Sequence, residues 1–118
     1  MTSPTAIQPS QLPAPVRGFL AAHAEGDADA ALAAFTADAV VTDEGRSSRG
    51  TEEVLAFLRH AGSEFSYTTE LTAAQRVDDA HWVAVHHLEG DFPGGVVDLA
   101  YRFTLDGDRI AELVIAPL

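Results

Sequence analysis

Residues 39–50 read AVVTDEGRSSRG. The stretch opens as a short apolar strand, Ala39-Val40-Val41, and carries a carboxylate, Asp43, where the strand runs out. It leaves through a loop of Gly, Ser and Arg, and a helix begins at Thr51. An acid that ends a buried strand has two readings. It bonds the N–H groups of its own loop in an Asx-turn. Alternatively it faces a pocket, where desolvation raises its pKa and equips it to take a proton from carbon.

Upstream, Leu12, Val16, Phe19, Leu20 and His23 recur at helical spacing. Pro13 and Pro15 suit only a first turn, where a missing N–H costs nothing. Gly26 ends this helix, and Asp27 caps a second short one, Ala28–Phe35, packed through Ala31, Leu32 and Phe35. Residues 1–11, rich in Thr, Ser, Pro and Gln, read as a flexible tail, and residues 12–118 as one domain.

Downstream, Thr51 reads as an N-cap, with Glu52 and Glu53 in the first turn, where the helix dipole favours acids. The apolar face is Val54, Leu55, Phe57, Leu58 and Ala61, and Gly62 stops the helix. The rest reads as β: Phe65–Val77, His81–Phe92, Val96–Leu105 and Arg109–Ala116. Asp78-Asp79, Pro93-Gly94-Gly95 and Asp106-Gly107-Asp108 are the turns. Val97, Leu99, Tyr101, Phe103 and Leu105 share one strand face, and Ala111, Leu113 and Ile115 share another. Three helices followed by a mainly antiparallel sheet predict an α+β fold: a cone-shaped barrel, helices on a curved mixed sheet, with an apolar interior.

The composition narrows the function. The chain has 118 residues, 47% hydrophobic and 21% charged, which suits one ordinary globular domain. Its formal charge is −11 and its seven basic residues are all Arg. So acidic a surface repels nucleic-acid backbones and anionic lipid, so neither is expected as a partner. With no Cys there is neither disulfide nor thiolate chemistry. The first residues lack the basic and apolar regions of a signal peptide, and no run approaches the ~20 apolar residues of a membrane span. These features predict a cytoplasmic setting, and the Arg-rich, Lys-free usage suggests a bacterial source.

The pattern GDADAALAAFTADAVVTDEG…RGTEEVLAFL, followed by strands ending in YRFTLDGDRIAELVI, resembles the nuclear transport factor 2-like superfamily. Within it the chain is most similar to SnoaL-like polyketide cyclases and ketosteroid isomerases. The resemblance implies a general-base Asp at the end of the first strand, here Asp43. The isomerases' oxyanion tyrosine lies seven residues before the helix-ending Gly, and Phe19 stands there. Leu58 stands at their second tyrosine and Leu99 at their protonated Asp, with Asp98 one residue away on the opposite face. The resemblance further implies a homodimer paired through the outer sheet face, with Asp98, Arg102, Glu112 and Val114 on it.

The site therefore centres on Asp43. Tyr101 is either core or a hydrogen-bond donor to a ligand. A hairpin pairing Phe92 with Gly95 sets Leu99 opposite Leu88 and Tyr101 opposite His86, turning Trp82, Ala84, His86 and Leu88 inward. A one-residue slip turns Val83, Val85 and His87 inward instead. The first register makes Asp43, His86 and Tyr101 the catalytic set, with Phe19, Leu58, Trp82, Leu99, Phe103 and Leu113 lining a cavity. His81, His86 and His87 cannot meet round a metal, because neighbours alternate faces and His81 lies about 20 Å from His87. No metal or cofactor is expected. Two functions stay open: a cofactor-independent isomerase, cyclase or dehydratase acting on a small apolar metabolite, or a non-catalytic ligand-binding or dimeric scaffold domain.

Overall fold

The computed structural model describes residues 4–60 and 66–118. In chain order the elements are β1 (Thr5–Ile7), a 3-10 turn (Pro9–Gln11), α1 (Ala14–Ala24), α2 (Ala28–Leu32), β2 (Phe35–Asp43), β3 (Arg46–Arg49), α3 (Gly50–His60), β4 (Tyr67–Arg76), β5 (His81–Gly90), β6 (Val96–Asp106) and β7 (Arg109–Pro117). One seven-stranded sheet runs β1-β4-β5-β6-β7-β2-β3. The β2–β7 pair is parallel and every other pair is antiparallel. Val16 and Phe19 of α1, Ala31 of α2, and Val54 and Leu58 of α3 join one core cluster with Phe103, Leu113 and Ile115 of the sheet. The architecture is the α+β cone that the sequence pattern predicts.

Local chemistry explains most boundaries. Gly26 ends α1 with φ +72°, and the Asp27 carboxylate accepts from the Ala30 N–H at 3.1 Å to start α2. The Glu53 carboxylate accepts from the Arg49 N–H at 3.1 Å at the start of α3. Ala61, Gly62 and Phe65, which the pattern assigned to a helix end and a strand start, lie outside the described residues.

Several features differ from the sequence expectation. The N-terminal segment is not loose throughout: Thr5–Ile7 pairs with Ala74–Arg76 and covers the β4 edge of the sheet. The helix begun at Ala28 stops at Leu32, because Phe35 reaches the core as the first residue of β2, edge-on to Phe19 at 5.3 Å between ring centroids. The Gly-Ser-Arg loop is a hairpin: Arg46–Arg49 pairs with β2 across a two-residue turn. Its central residues, Glu44 and Gly45, have φ +53° and +79°, both left-handed, as a type I′ turn requires. Finally, a bulge at Ala111 between the pairs Thr104–Glu112 and Leu105–Ile110 shifts the alternation of β7, so Ile110 is fully buried and Ala111 is not.

The β5–β6 hairpin is wider than predicted. The Gly90 N–H donates to the Gly95 carbonyl at 2.9 Å, and Phe92 belongs to the turn. His86 therefore pairs with Leu99, Ala84 with Tyr101 and Leu88 with Val97. The slip is two residues, and an even slip leaves every side chain on its expected face.

Candidate functional site

Paired residues on adjacent strands share a sheet face, so the registers place the site. One row across the inner face runs Asp43, Ile115, Tyr101, Ala84, Ala74. Its middle members are buried in the core cluster, which fixes that face as the one under the helices. The next row runs Leu71, His86, Leu99, Pro117. Asp43 and Tyr101 are thus two strand spacings apart, about 10 Å between backbones. His86 sits diagonally from Tyr101, with ring centroids 4.6 Å apart.

Between the C-terminal half of α1 and strands β4–β6 lies a pocket of about 160 Å³. Leu20, His23 and Ala24 form its helix wall; Tyr67, Thr69, His86 and Tyr101 form its sheet wall. The elements set this shape for stated reasons. His23 stacks on Phe19 at 5.3 Å and 12°. Phe19 is itself held edge-on by Phe35 and by Phe103, the latter at 5.8 Å. Gly90 pairs with Tyr67, and a Cβ at Gly90 would stand 2.4 Å from the Ser66 carbonyl oxygen. Only glycine lets the start of β4 close so tightly on β5 and hold Tyr67 at the pocket.

Burial dominates the electrostatics. His86 is 8% exposed and its Nδ1 has no hydrogen-bond partner. Desolvation, with a smaller push from His23, drives its pKa down to about 4, so the imidazole is neutral at pH 7. Desolvation lowers His23 as well. Tyr101 is raised by desolvation first, then by Tyr67 and Asp43, and stays protonated. Asp43 is half-buried; desolvation and the neighbouring Glu44 charge raise its pKa, while a hydrogen bond from the Glu44 backbone opposes them. The pocket can therefore offer neutral donors and acceptors, with one carboxylate of heightened basicity in the same inner-face row as Tyr101.

Of the residues singled out in the sequence, His86 and Tyr101 line this pocket together. Asp43 lies on their face but outside the lining. Phe19, Leu58, Phe103 and Leu113 are buried members of the core cluster, and Trp82 and Leu99 pack partly buried against it. The predicted hollow is therefore largely filled by these side chains; one pocket remains beside the histidines, and a second, of about 320 Å³, borders Trp82, Val83, Arg102 and Phe103 away from Asp43. The pocket residues absent from the predicted cavity lining are Leu20, His23, Ala24, Tyr67 and Thr69. His23 alone carried a signal, a histidine on an otherwise apolar helix face. On the outer face, His87 Nδ1 lies 2.7 Å from Asp98 and Nε2 3.3 Å from Glu89; the hydrogen bond to Asp98 is the main cause of its raised pKa. Among the described residues no group of three or more His, Cys, Asp or Glu could hold a metal, and no helix is long and apolar enough to cross a membrane.

A curved sheet with three helices over one face and a pocket under α1 defines a nuclear transport factor 2-like α+β protein. More narrowly, the SnoaL-like domain family matches residues 16–113, and the chain belongs to that family. Among solved structures it is similar to a putative polyketide cyclase from Sinorhizobium meliloti, at 34% identity and TM-score 0.84, over 93% of this chain and 100% of that one. A Δ5-3-ketosteroid isomerase from a Mycobacterium species shares the fold at 20% identity and TM-score 0.68, over 87% of this chain and 89% of that one. So does a protein of ketosteroid isomerase-like fold from Catenulispora acidiphila, in complex with trimethylamine, at 20% identity and TM-score 0.74, over 88% and 85%. No curated protein matches the chain in sequence.

Proposed function

We propose that the chain binds a small, largely apolar molecule in the His86–Tyr101 pocket and moves a proton on it without a cofactor, as an isomerase or cyclase. Asp43 is the base, and Tyr101 and His86 are its polar partners. The observation that carries this reading is the shared inner-face row: Asp43, with its raised pKa, stands two strands from Tyr101 and adds to that residue's electrostatics. A base nearer neutrality that shares a sheet face with a hydroxyl donor suits proton abstraction next to a carbonyl. The likeness to the Sinorhizobium meliloti protein supports the cyclase side of the reading. The Asp43→Asn variant should fold normally and lose turnover by about 10²–10⁴-fold. Unchanged turnover would end the catalytic reading.

A second reading, binding without chemistry, is favoured by one observation: Asp43 does not line the pocket, and its own hairpin supplies it with a hydrogen bond. It predicts a ligand that raises thermal stability and leaves unaltered. In both readings the partners are a small metabolite and a second copy of the chain. The outer face of β5–β7 supports the pairing, because the partly exposed Val85 and Val114 lie there beside the charged Asp98, Arg102 and Glu112. Sedimentation of the wild type and of Arg102→Glu tests it, the variant being expected as a monomer. The Cys-free, acidic composition supports a cytoplasmic setting.

A further inference from the structure

The pocket is small and no charged side chain lines it. At about 160 Å³ it falls below the ~300–1,000 Å³ of ordinary ligand sites. It is close to the ~150 Å³ cavity known to hold one benzene ring. Only about one ring finds room between the walls, and Ala24, Tyr67 and Thr69 stand exposed at its mouth. The lining has no Lys, Arg, Asp or Glu. Two tyrosines, a threonine and two histidines supply its polar side chains, and the whole chain carries −11. An anion would meet no cation there, and a cation would meet no carboxylate in the wall.

We propose that this pocket selects a neutral single-ring hydroxyl compound, a phenol or cyclic enol, and that His23 from the helix wall and His86 from the sheet wall recognise its hydroxyl. Three observations support the pairing. Both imidazoles border one pocket from facing elements, so a ring lying between them meets both. His23 is fixed by its stack on Phe19, and His86 by its contact with Tyr101, so little side-chain freedom is lost on binding. His86 is buried with an unsatisfied nitrogen, a cost that a hydroxyl donor or acceptor removes. Desolvation keeps both rings neutral, so the hydroxyl keeps its proton instead of forming a buried ion pair. His23 thus joins the site as a specificity residue. The inference rests on the small-molecule reading above but not on Asp43 chemistry.

The test uses 4-nitrophenol, whose anion absorbs visible light, with nitrobenzene as the same ring lacking a hydroxyl and 1-hydroxypyrene as a four-ring hydroxyl compound. Wild-type protein should bind 4-nitrophenol more tightly than nitrobenzene and should not bind 1-hydroxypyrene. The bound nitrophenol should ionise at higher pH than the free compound. His23→Leu and His86→Gln should each weaken 4-nitrophenol about tenfold while leaving nitrobenzene unchanged, which a merely structural role would not do. Ionisation shifted to lower pH, equal binding of nitrobenzene, or binding of 1-hydroxypyrene would overturn the proposal. If none of the three compounds binds, the pocket reading falls with it. If all three bind alike, the pocket stands and only the selectivity fails.

Discussion

Helix α1 crosses two regions that share a sheet face and behave oppositely. At one end Val16 and Phe19 meet Phe35, Phe103, Ile110 and Leu113 in a dry, fully packed cluster. One turn further on, Leu20, His23 and Ala24 meet Tyr67, Thr69, His86 and Tyr101 and leave about 160 Å³ unfilled. The packed end is buried throughout, whereas at the open end only His86 and Tyr101 are buried and Ala24, Tyr67 and Thr69 are exposed. The packed end uses large apolar rings that interlock edge to face, and dense packing supplies stability there. The open end uses short or polar side chains whose shapes and hydrogen-bond needs do not close on one another. Stability thus comes from the first region, and the second gives some of it up to hold a ligand.

The sharpest break of that contrast is at the packed end. Phe103→Ala should cost about 3–5 kcal/mol in urea unfolding, since Phe103 is 1% exposed and held edge-on to Phe19. A loss under about 1 kcal/mol would mean that this end is no tighter than the other.

The open end should respond to acid. His86 titrates near 4 when folded and near 6.5 when unfolded, so the unfolded chain binds the extra proton between those values. Stability is then full above pH 6.5 and is lost as pH falls toward 4, by ~3 kcal/mol at most. His23 acts in the same direction, and the raised His87 opposes both. Comparison of urea midpoints for wild type and His86→Leu isolates the His86 part: the variant should show the shallower decline, and equal slopes would remove the neutral imidazole from the account. At pH 7 the same variant should be more stable by about 1–2 kcal/mol, because it removes an unsatisfied buried nitrogen, while hydroxyl binding is lost. A destabilised variant would show that His86 contributes to packing as the aromatic cluster does.

The smallest effect belongs to the hairpin beside Asp43. Glu44 holds a left-handed φ that suits Asn, so Glu44→Asn should add about 0.5–1 kcal/mol. It should also lower the Asp43 pKa by removing a neighbouring negative charge, a change that NMR titration of the carboxyl carbon reads directly. An unmoved Asp43 would leave burial as the sole cause of its raised value.

The contrast between the two ends was half legible in the sequence. Helical spacing in α1, the Gly26-Asp27 junction and the alternation of β6 gave the elements and the apolar faces, because local backbone preference and side-chain period are set by nearest neighbours. That His86 and Tyr101 share one face was legible too, since an even slip in a hairpin preserves the face though not the pairing. His23, Tyr67 and Thr69 were not: 44 positions separate His23 from Tyr67, and nothing local links them. Strand β1 was equally hidden, because three residues without an apolar pattern become a strand only when an open sheet edge offers its hydrogen bonds.

By itself the sequence determined an acidic, cysteine-free α+β domain with an acid, Asp43, closing an inner strand. Only the tertiary structure decided that the core under the helices is mostly solid, that a pocket lies beside two neutral histidines, and that Asp43 stands outside that pocket. The reason is physical. Period and propensity act along the chain, whereas an unfilled volume is what remains after side chains distant in sequence have packed as far as their shapes allow.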